Sequence, residues 1–420
     1  MEDKGFKRFY SPDFQNQLWT IISMGMVAIF PTVLVFIMTR RIGLAYAGMF
    51  TFAHALIDLP VLFTLFNVRL YQNLDVKQEV QLGVYLGHRT VFAVIASAVF
   101  SAFLFFAGFD TLQLIVILLV FFIFMTAVYF DAFLGDLQRK GKMRMAGKMQ
   151  ASVFVGALIF SIIVLLFTNS LIATLATAGF VVFAGYLAWL WYYRKHFANM
   201  HVRFEFSAIK KLTLAVLPIF ITGFMFTYLF NAQKYYLEAF VSIESVAVYG
   251  ILLIPVGLLN IASTGFFSGA VATKTAEIFA AAQEKLFKRR VNIQLLIALG
   301  LFVPFILVAY FLGIPLLSWI SAVDLTPYRA EFMILSLGAV ARAPDYVLTP
   351  VLIMLKKQKT MLYVSILVAI VAGPTMWWLV SNYGMFGAAF SIFVLFLPRT
   401  VLLYIIYILA IRKRRDKKHD

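Results

Sequence analysis

The sequence predicts an all-α polytopic membrane protein with about 12 transmembrane helices. Of its 420 residues, 63% are hydrophobic and only 13% are charged, and the mean hydropathy is +0.92. A soluble domain is about 45–50% apolar and about one quarter charged, because its surface faces water. Twelve spans of about 20 residues leave too little polar sequence for a separate soluble domain of ordinary size. These figures argue against a function that needs an extramembrane catalytic domain.

Twelve apolar runs are long enough to cross a hydrocarbon core of about 30 Å as α-helices. Charged or turn residues bound each of them. The runs cover 18–38, 44–66, 90–109, 111–130, 151–168, 171–193, 209–230, 246–267, 291–320, 330–354, 361–380 and 385–410. Because a polar stretch precedes the first run, we expect that run to be an uncleaved membrane anchor rather than a signal peptide.

Basic residues are distributed unevenly between alternate loops. When successive loops are assigned to opposite sides, 30 of the 36 Lys and Arg residues fall on one side and four on the other. Cytoplasmic loops carry the excess of Lys and Arg, so both termini are predicted to be cytoplasmic. A missed span would mix the two sides, so the split also supports the count of twelve. The net charge of +17 is therefore assigned to topology, and we expect no nucleic-acid partner.

The two halves of the sequence resemble each other weakly. An apolar stretch at 18–48 is followed by a similar one at 212–250. Six spans separate the copies, so both enter from the same side and would be related by a pseudo-two-fold axis along the membrane normal. We predict an N-terminal six-helix lobe at 1–200 and a C-terminal six-helix lobe at 201–420 that ends in a basic cytoplasmic tail. Chance similarity between two apolar stretches is the alternative.

Two absences narrow the chemistry. The chain has no cysteine, which excludes disulfides, thiolate metal sites and cysteine nucleophiles. It also has no phosphate-cradling Walker loop, so direct ATP hydrolysis is not expected. We expect no metal centre and no cofactor.

Ionisable residues inside predicted spans are the strongest functional signal, because each costs at least about 2.5–3.5 kcal/mol in a bilayer unless it faces a polar interior. His54 and Asp58 are four residues apart in the second span and share one helix face. They are either a hydrogen-bonded structural pair or a protonatable relay, since imidazole titrates near neutral pH.

The second half contains two arginines inside predicted spans. Arg342 and Asp345 are three residues apart in the tenth span and either neutralise each other or face a cavity. Arg399 has no acid nearby in its own span, which favours a cavity role. Lys234, beside Tyr235 at the outer end of the seventh span, is either an interfacial anchor or part of a binding site.

A polar passage connects the second and third spans. It reads NVRLYQNLDVK from residue 67 and YLGHR from residue 85. The passage resembles that of the bacterial polysaccharide flippases, the O-antigen flippase (Wzx/PST) type of the multidrug/oligosaccharidyl-lipid/polysaccharide (MOP) exporter superfamily. There, Arg-x-Tyr-Gln-x-x-Asp ends the second helix and Tyr-Leu-Gly-x-Arg follows. The matching residues are Arg69, Tyr71, Gln72, Asp75, Tyr85 and Arg89.

Two further segments are similar to that family. The basic elbow at 135–142 resembles its connection between helices 4 and 5, and 233–236 resembles the basic-aromatic end of its helix 7. In the second segment Lys234 stands where arginine is commoner in the family. This departure weakens the case for a phosphate contact at that position.

The resemblance implies two six-helix lobes around a central cavity, a MATE-like arrangement. It also implies that a polyprenyl-diphosphate-linked oligosaccharide crosses the bacterial cytoplasmic membrane by alternating access, without covalent chemistry. On this interpretation the substrate site comprises Arg69, Gln72, Lys234, Tyr235, Arg342 and Arg399. Residues for ion coupling or gating are His54, Asp58, Asp75 and Asp345. We expect a monomer whose partners are the lipid-linked substrate, membrane lipid and a polysaccharide polymerase.

Three alternatives stay open on the sequence. A cation-coupled multidrug exporter of the same superfamily would favour an acidic cavity, whereas the charges in the spans include two arginines. A peptidoglycan-precursor flippase commonly has fourteen helices rather than twelve. A polytopic glycosyltransferase, polymerase or acyltransferase usually needs a sizeable outer loop, and the longest outer loop predicted here is about 15 residues, at 231–245.

The topology predicts that a cysteine introduced by Asn169→Cys will react with a membrane-impermeant maleimide added outside the cell, because only this arrangement gathers 30 basic residues in the cytoplasm. The chain has no other cysteine, so the background is clean. Labelling from the cytoplasmic side alone would overturn the topology.

Overall fold

The computed structural model describes residues 12–74, 80–197, 200–268, 270–281 and 283–416, and in these ranges every regular element is a helix. Asp75, which was predicted to take part in ion coupling or gating, lies outside the described residues. The chain divides into two compact units, Met1–Phe224 and Met225–Asp420.

The described residues of the first unit contain seven α-helices and the first half of an eighth. The helices are α1 (Pro12–Arg41), α2 (Leu44–Leu65), α3 (Val68–Leu74), α4 (Leu82–Ala107), α5 (Thr111–Arg139), α6 (Met143–Thr168), α7 (Leu171–Tyr193) and α8 (Phe206–Phe240). Its centre is formed by α1 against α6, α6 against α7, and α5 against both α2 and α7. The α1–α6 contact is close because Gly147 faces the main chain of Trp19.

The second unit contains the rest of α8 and more broken helices. They are α9 (Ile243–Ser268), α10 (Ala270–Ala280), α11 (Glu284–Val308), α12 (Ile314–Ser321), α13 (Arg329–Arg342), α14 (Asp345–Met354) and α15 (Gln358–Asp416). A π-helical turn, Ala309–Gly313, connects α11 to α12. The last helix, α15, packs against α13 and α14.

The predicted count of twelve spans is confirmed. Eleven helical segments of the described chain are long and apolar enough to cross a membrane. The last of them, Gln358–Arg412, has 55 residues, about 80 Å at a rise of 1.5 Å per residue, which is far more than one crossing needs. Gly384 breaks it with φ 54° and ψ −128°. The break divides the segment into the eleventh and twelfth spans.

Side-chain caps and left-handed turn residues begin or end several of the spanning helices. Asp110 caps α5 by accepting a hydrogen bond from the backbone N–H of Gln113 at 2.8 Å. Ser170 caps α7 in the same way. After α2, Phe66 and Asn67 both adopt left-handed backbone conformations, with φ of 46° and 55°. This turn directs the chain from α2 into the short helix α3.

Several helices extend well beyond the predicted apolar runs. Helix α4 begins at residue 82 rather than 90, and α5 continues to residue 139 rather than 130. The added turns carry Arg89 and Asp131, which hydropathy treats as loop residues but which are buried. They remain helical because their charges are paired within the first unit.

The first half of α8 belongs to the first unit. Its residues Ile209, Val216 and Phe220 pack in one cluster with Phe66 and Tyr85. The rings of Phe66 and Phe220 are stacked, with centroids 3.8 Å apart. The compact unit ends at residue 224. The division between residues 200 and 201 that we predicted from the sequence was placed by counting spans alone.

Candidate functional site

Arg342, at the end of α13, is held by aromatic rings. Its guanidinium carbon lies 4.7 Å from the ring centroid of Phe226, 4.9 Å from that of Phe396 and 5.3 Å from that of Tyr346. A guanidinium at these distances is attracted by the negative faces of the rings. Within the described chain, no carboxylate or other acceptor bonds to it. Arg342 is thus a half-buried cation whose charge is not neutralised.

Asp345 pairs with Arg399 rather than with Arg342. The carboxylate accepts a hydrogen bond from the Arg399 guanidinium, and its other oxygen lies 3.3 Å from the hydroxyl of Thr400. The pair that the spacing of Arg342 and Asp345 suggested is therefore not formed. The difference arises because Arg399 reaches Asp345 from α15, a helix that sequence spacing cannot place.

The two arginines lie close together. The guanidinium carbon of Arg399 is 5.9 Å from the ring centroid of Phe226, the ring that Arg342 also contacts. With Asp345 ionised, the cluster of Arg342, Arg399 and Asp345 has a net charge of +1. A positive cluster among apolar spans is costly unless it meets an anion or water.

The chain break beside Arg342 is also fixed by polar contacts. Pro344 lies between α13 and α14 and has no backbone N–H to continue the helix. Thr400 donates a hydrogen bond to the carbonyl of Ala341 at 2.9 Å, and the Tyr346 hydroxyl donates to the side chain of Asn260 on α9. These contacts hold the ends of α13 and α14 against α15 and α9, which positions Arg342.

Lys234 and Tyr235 lie further along α8 than the arginine cluster. The ammonium group of Lys234 donates a hydrogen bond to the side chain of Asn231 at 3.0 Å. Eight residues separate Lys234 from Phe226, which corresponds to about 12 Å along a helix. Lys234 and Tyr235 therefore lie about two helical turns along α8 from the ring that both arginines contact.

Arg69 and Gln72, the other two predicted substrate residues, dock α3 onto α5. Arg69 pairs with Asp131 and donates from Nε to the side chain of Gln138 at 3.3 Å. Gln72 donates from Nε2 to the carbonyl of Ala132 at 3.0 Å. Its amide lies against Gly135, where a Cβ would overlap it. Both side chains are thus engaged within the first unit, although a quarter of the Arg69 side chain stays exposed.

Asp131 is the residue that the sequence analysis missed. One carboxylate oxygen binds Arg69, and the other accepts a hydrogen bond from the Arg89 guanidinium at 2.8 Å. Arg89 also donates to the carbonyl of Thr64 at 2.7 Å, and its side chain is 2% exposed. Asp131 follows the end of the predicted run at 111–130. One signal in the sequence could have pointed to it. Arg89 matches the family passage, and no acidic partner had been proposed for it.

A second buried network lies further along α5. Asp136 accepts hydrogen bonds from Arg139 at 2.8 Å and from Lys140 at 2.6 Å. Arg139 also donates to the carbonyl of Val80, and Lys140 to that of His196. The elbow between α5 and α6 is therefore hydrogen-bonded to the segment before α4 and to the segment after α7.

His54 and Asp58 share one face of α2, as their spacing predicts. His54 Nδ1 lies 4.0 Å from an oxygen of Asp58, and the two side chains are 25% and 33% exposed. The imidazole also packs edge-on against the ring of Phe124, with centroids 4.8 Å apart. Neither side chain of the pair is fully buried.

Comparison with known proteins identifies the fold. No protein-family model matches the chain, and no curated protein matches it. Solved structures do match over nearly the whole length. The MATE multidrug transporter DinF-BH, solved as a complex, has a TM-score of 0.67 at 16% identity and covers 95% of this chain and 94% of its own. The lipid II flippase MurJ, in an inward closed conformation, also has a TM-score of 0.67, at 14% identity, over 94% and 89% of the two chains.

A third match names the superfamily. An inward-facing MATE transporter of the MOP superfamily aligns with a TM-score of 0.64 at 13% identity, over 94% of this chain and 97% of that one. The chain shares its fold with these three proteins. These neighbours are transporters and a flippase. At such low sequence identity, the similarity shows the fold alone. The substrate has to be argued from the residues of this chain.

We predict that Asp131→Asn will lower the free energy of unfolding by roughly 3–5 kcal/mol, because it leaves the buried Arg89 without its counter-charge. The measurement is thermal unfolding of the purified protein in detergent. Glu205→Gln is the matched control, since Glu205 pairs with Arg203 at 3.8 Å while both side chains are 40% or more exposed. That variant should change stability by less than about 1 kcal/mol. Equal stability of the two variants would contradict the assignment.

Proposed function

We propose that this protein is a flippase that moves a polyprenyl-diphosphate-linked oligosaccharide across the bacterial cytoplasmic membrane by alternating access. The observation that carries the proposal is the guanidinium of Arg342. It is a cation within the span Thr326–Met354, half-buried, surrounded by three rings and not paired with an acid in the described chain. A group of this kind attracts an anion.

Arginine in this setting suits a diphosphate. Aromatic faces on Phe226, Tyr346 and Phe396 stabilise the cation without neutralising it. The N–H groups at the edge of the guanidinium stay available, and they match two phosphate oxygens at once. Arg399 lies beside the same ring and would supply a second cation when its contact with Asp345 loosens. The prenyl chain would remain in lipid while the charged headgroup crosses.

The cation-coupled multidrug exporter is the second candidate, because MATE transporters share the fold. Such a transporter needs carboxylates to attract a cationic substrate. Two buried carboxylates of this chain, Asp131 and Asp345, are instead paired with arginines. The charge balance favours an anionic substrate. Peptidoglycan-precursor flipping stays an alternative because MurJ shares the fold, and competition between lipid-linked substrates in a transport assay distinguishes the two.

We predict that Arg342→Gln will slow flipping about 10- to 150-fold, the effect of losing a charged hydrogen bond of about 1.5–3 kcal/mol. The assay reconstitutes the protein in liposomes with a fluorescent polyprenyl-diphosphate oligosaccharide and measures quenching from outside. Arg342→Lys should retain intermediate activity, because lysine keeps the charge but not the planar fork.

Arg329→Gln is the matched control for this assay. Arg329 lies on the same helix, α13, and also packs over a ring, that of Tyr310, at 4.8 Å. It is at the opposite end of the helix from the cluster, so this variant should flip substrate at the normal rate. Normal flipping by Arg342→Gln, at normal protein amount, would overturn the proposal.

We propose that His54 and Asp58 couple flipping to the proton gradient, since imidazole titrates near neutral pH and the two groups lie 4.0 Å apart on one face of α2. His54→Ala should leave folded protein that flips at a rate independent of an imposed pH gradient. Asp58→Asn should behave in the same way. Gradient-dependent flipping that persists in both variants at normal protein amount would remove the pair from the mechanism.

A further inference from the structure

A groove of about 380 Å³ lies in the second unit, away from the arginine cluster. The end of α9, the helix α10 and the first turns of α11 form its walls. Its volume is within the range of ligand pockets in proteins, about 300–1,000 Å³. None of the residues assigned to the proposed flippase site lines it.

One wall of the groove is an apolar stripe. Leu286, Ile293 and Ile297 are spaced by seven and four residues on α11, so they share one helix face. Phe266 faces them from α9 and is 52% exposed. Ile293 and Ile297 are also exposed. An apolar chain lying along this stripe would cover surface that the protein leaves open.

The beginning of the same helix is strongly basic. Lys285, Lys288, Arg289 and Arg290 lie within seven residues that include one acid, Glu284. Arg289 and Arg290 line the groove. Arg289 is exposed, and nothing in the described chain bonds to its guanidinium. The groove therefore has a positively charged end next to the apolar stripe.

A polar contact fixes the shape of this positive end. The Thr275 hydroxyl on α10 accepts hydrogen bonds from Arg290 at 3.2 Å and from Gln294 at 2.7 Å. These bonds hold α10 against α11, and Gln294 is buried. Arg290 is therefore oriented by the protein itself, beside the more exposed Arg289.

We propose that this groove binds an anionic glycerophospholipid of the surrounding bilayer. The phosphate would contact Arg289 and Arg290, and an acyl chain would lie over Ile293 and Ile297. Along a helix these two isoleucines are about 6 and 12 Å beyond Arg289, which is the order in which a lipid presents its headgroup and chain. Basic pockets at the cytoplasmic ends of membrane helices bind anionic headgroups in this way.

Lys210 and Lys211 provide a comparison for the groove. They are two exposed cations near the beginning of another spanning helix, α8. A lipid held by charge alone would bind at either pair. A lipid held by the groove would prefer Arg289 and Arg290, which lie next to an apolar channel.

Native mass spectrometry of the full chain in detergent tests the proposal. The protein is titrated with phosphatidylglycerol and, separately, with phosphatidylcholine. We expect one phosphatidylglycerol to be retained more tightly than phosphatidylcholine. Arg289→Gln should weaken that binding about fivefold, which is the effect of one basic residue near an anionic lipid surface. Inorganic phosphate should not displace the lipid, because phosphate alone lacks the acyl chain.

Two further variants separate the headgroup from the chain. Ile293→Trp keeps every charge but fills the groove, and it should also remove the retained lipid. Lys210→Gln combined with Lys211→Gln removes two charges elsewhere and should leave retention unchanged. Equal binding of the two lipids by the wild-type protein would overturn the proposal. Equal loss in the lysine control, or displacement by inorganic phosphate, would overturn it as well. Flipping activity is not the readout, so failure here is distinct from failure of the flippase proposal.

Discussion

The packing of the first unit depends on the ion pairs that the carboxylate of Asp131 forms with two arginines. This carboxylate pairs with both Arg69 on α3 and Arg89 on α4, while Asp131 itself belongs to α5. Three helices are thereby fixed to one another by one charge. Burying ions costs several kcal/mol each, and that cost is offset only when partners and hydrogen bonds are complete. Here Arg89 also donates to the carbonyl of Thr64, and Arg69 also donates to the side-chain amide of Gln138.

The second unit uses the opposite arrangement around Arg342. Rings rather than acids surround this guanidinium, so its positive charge is stabilised but kept. The nearby acid, Asp345, is committed to Arg399. The two units thus differ in what their buried arginines are for. In the first unit two arginines share one carboxylate that holds helices together, whereas in the second Arg342 has no acid partner among the described residues.

Hydropathy predicted the twelve spans because each must cover about 30 Å of hydrocarbon, and that requirement depends on composition alone. It did not predict where α4 begins or α5 ends, because Arg89 and Asp131 look like loop residues until their partners are known. Helical spacing correctly placed His54 and Asp58 together, four residues apart. The same reasoning left open whether Arg342 pairs with Asp345 or faces a cavity, because the partner of Asp345 lies 54 residues away on another helix. Local periodicity identifies shared faces but not tertiary partners.

The break at Gly384 has a consequence for how the chain enters the membrane. The main chain of Gly387 lies against the carbonyl of Leu379, where a side chain would not fit. Helical residues continue on both sides of the break, so almost no linker separates the last two spans. One of these spans can hardly be inserted while the other waits outside the bilayer. During biosynthesis they would integrate together as a helical hairpin, and the position of Arg399 in the second arm would be set at that step.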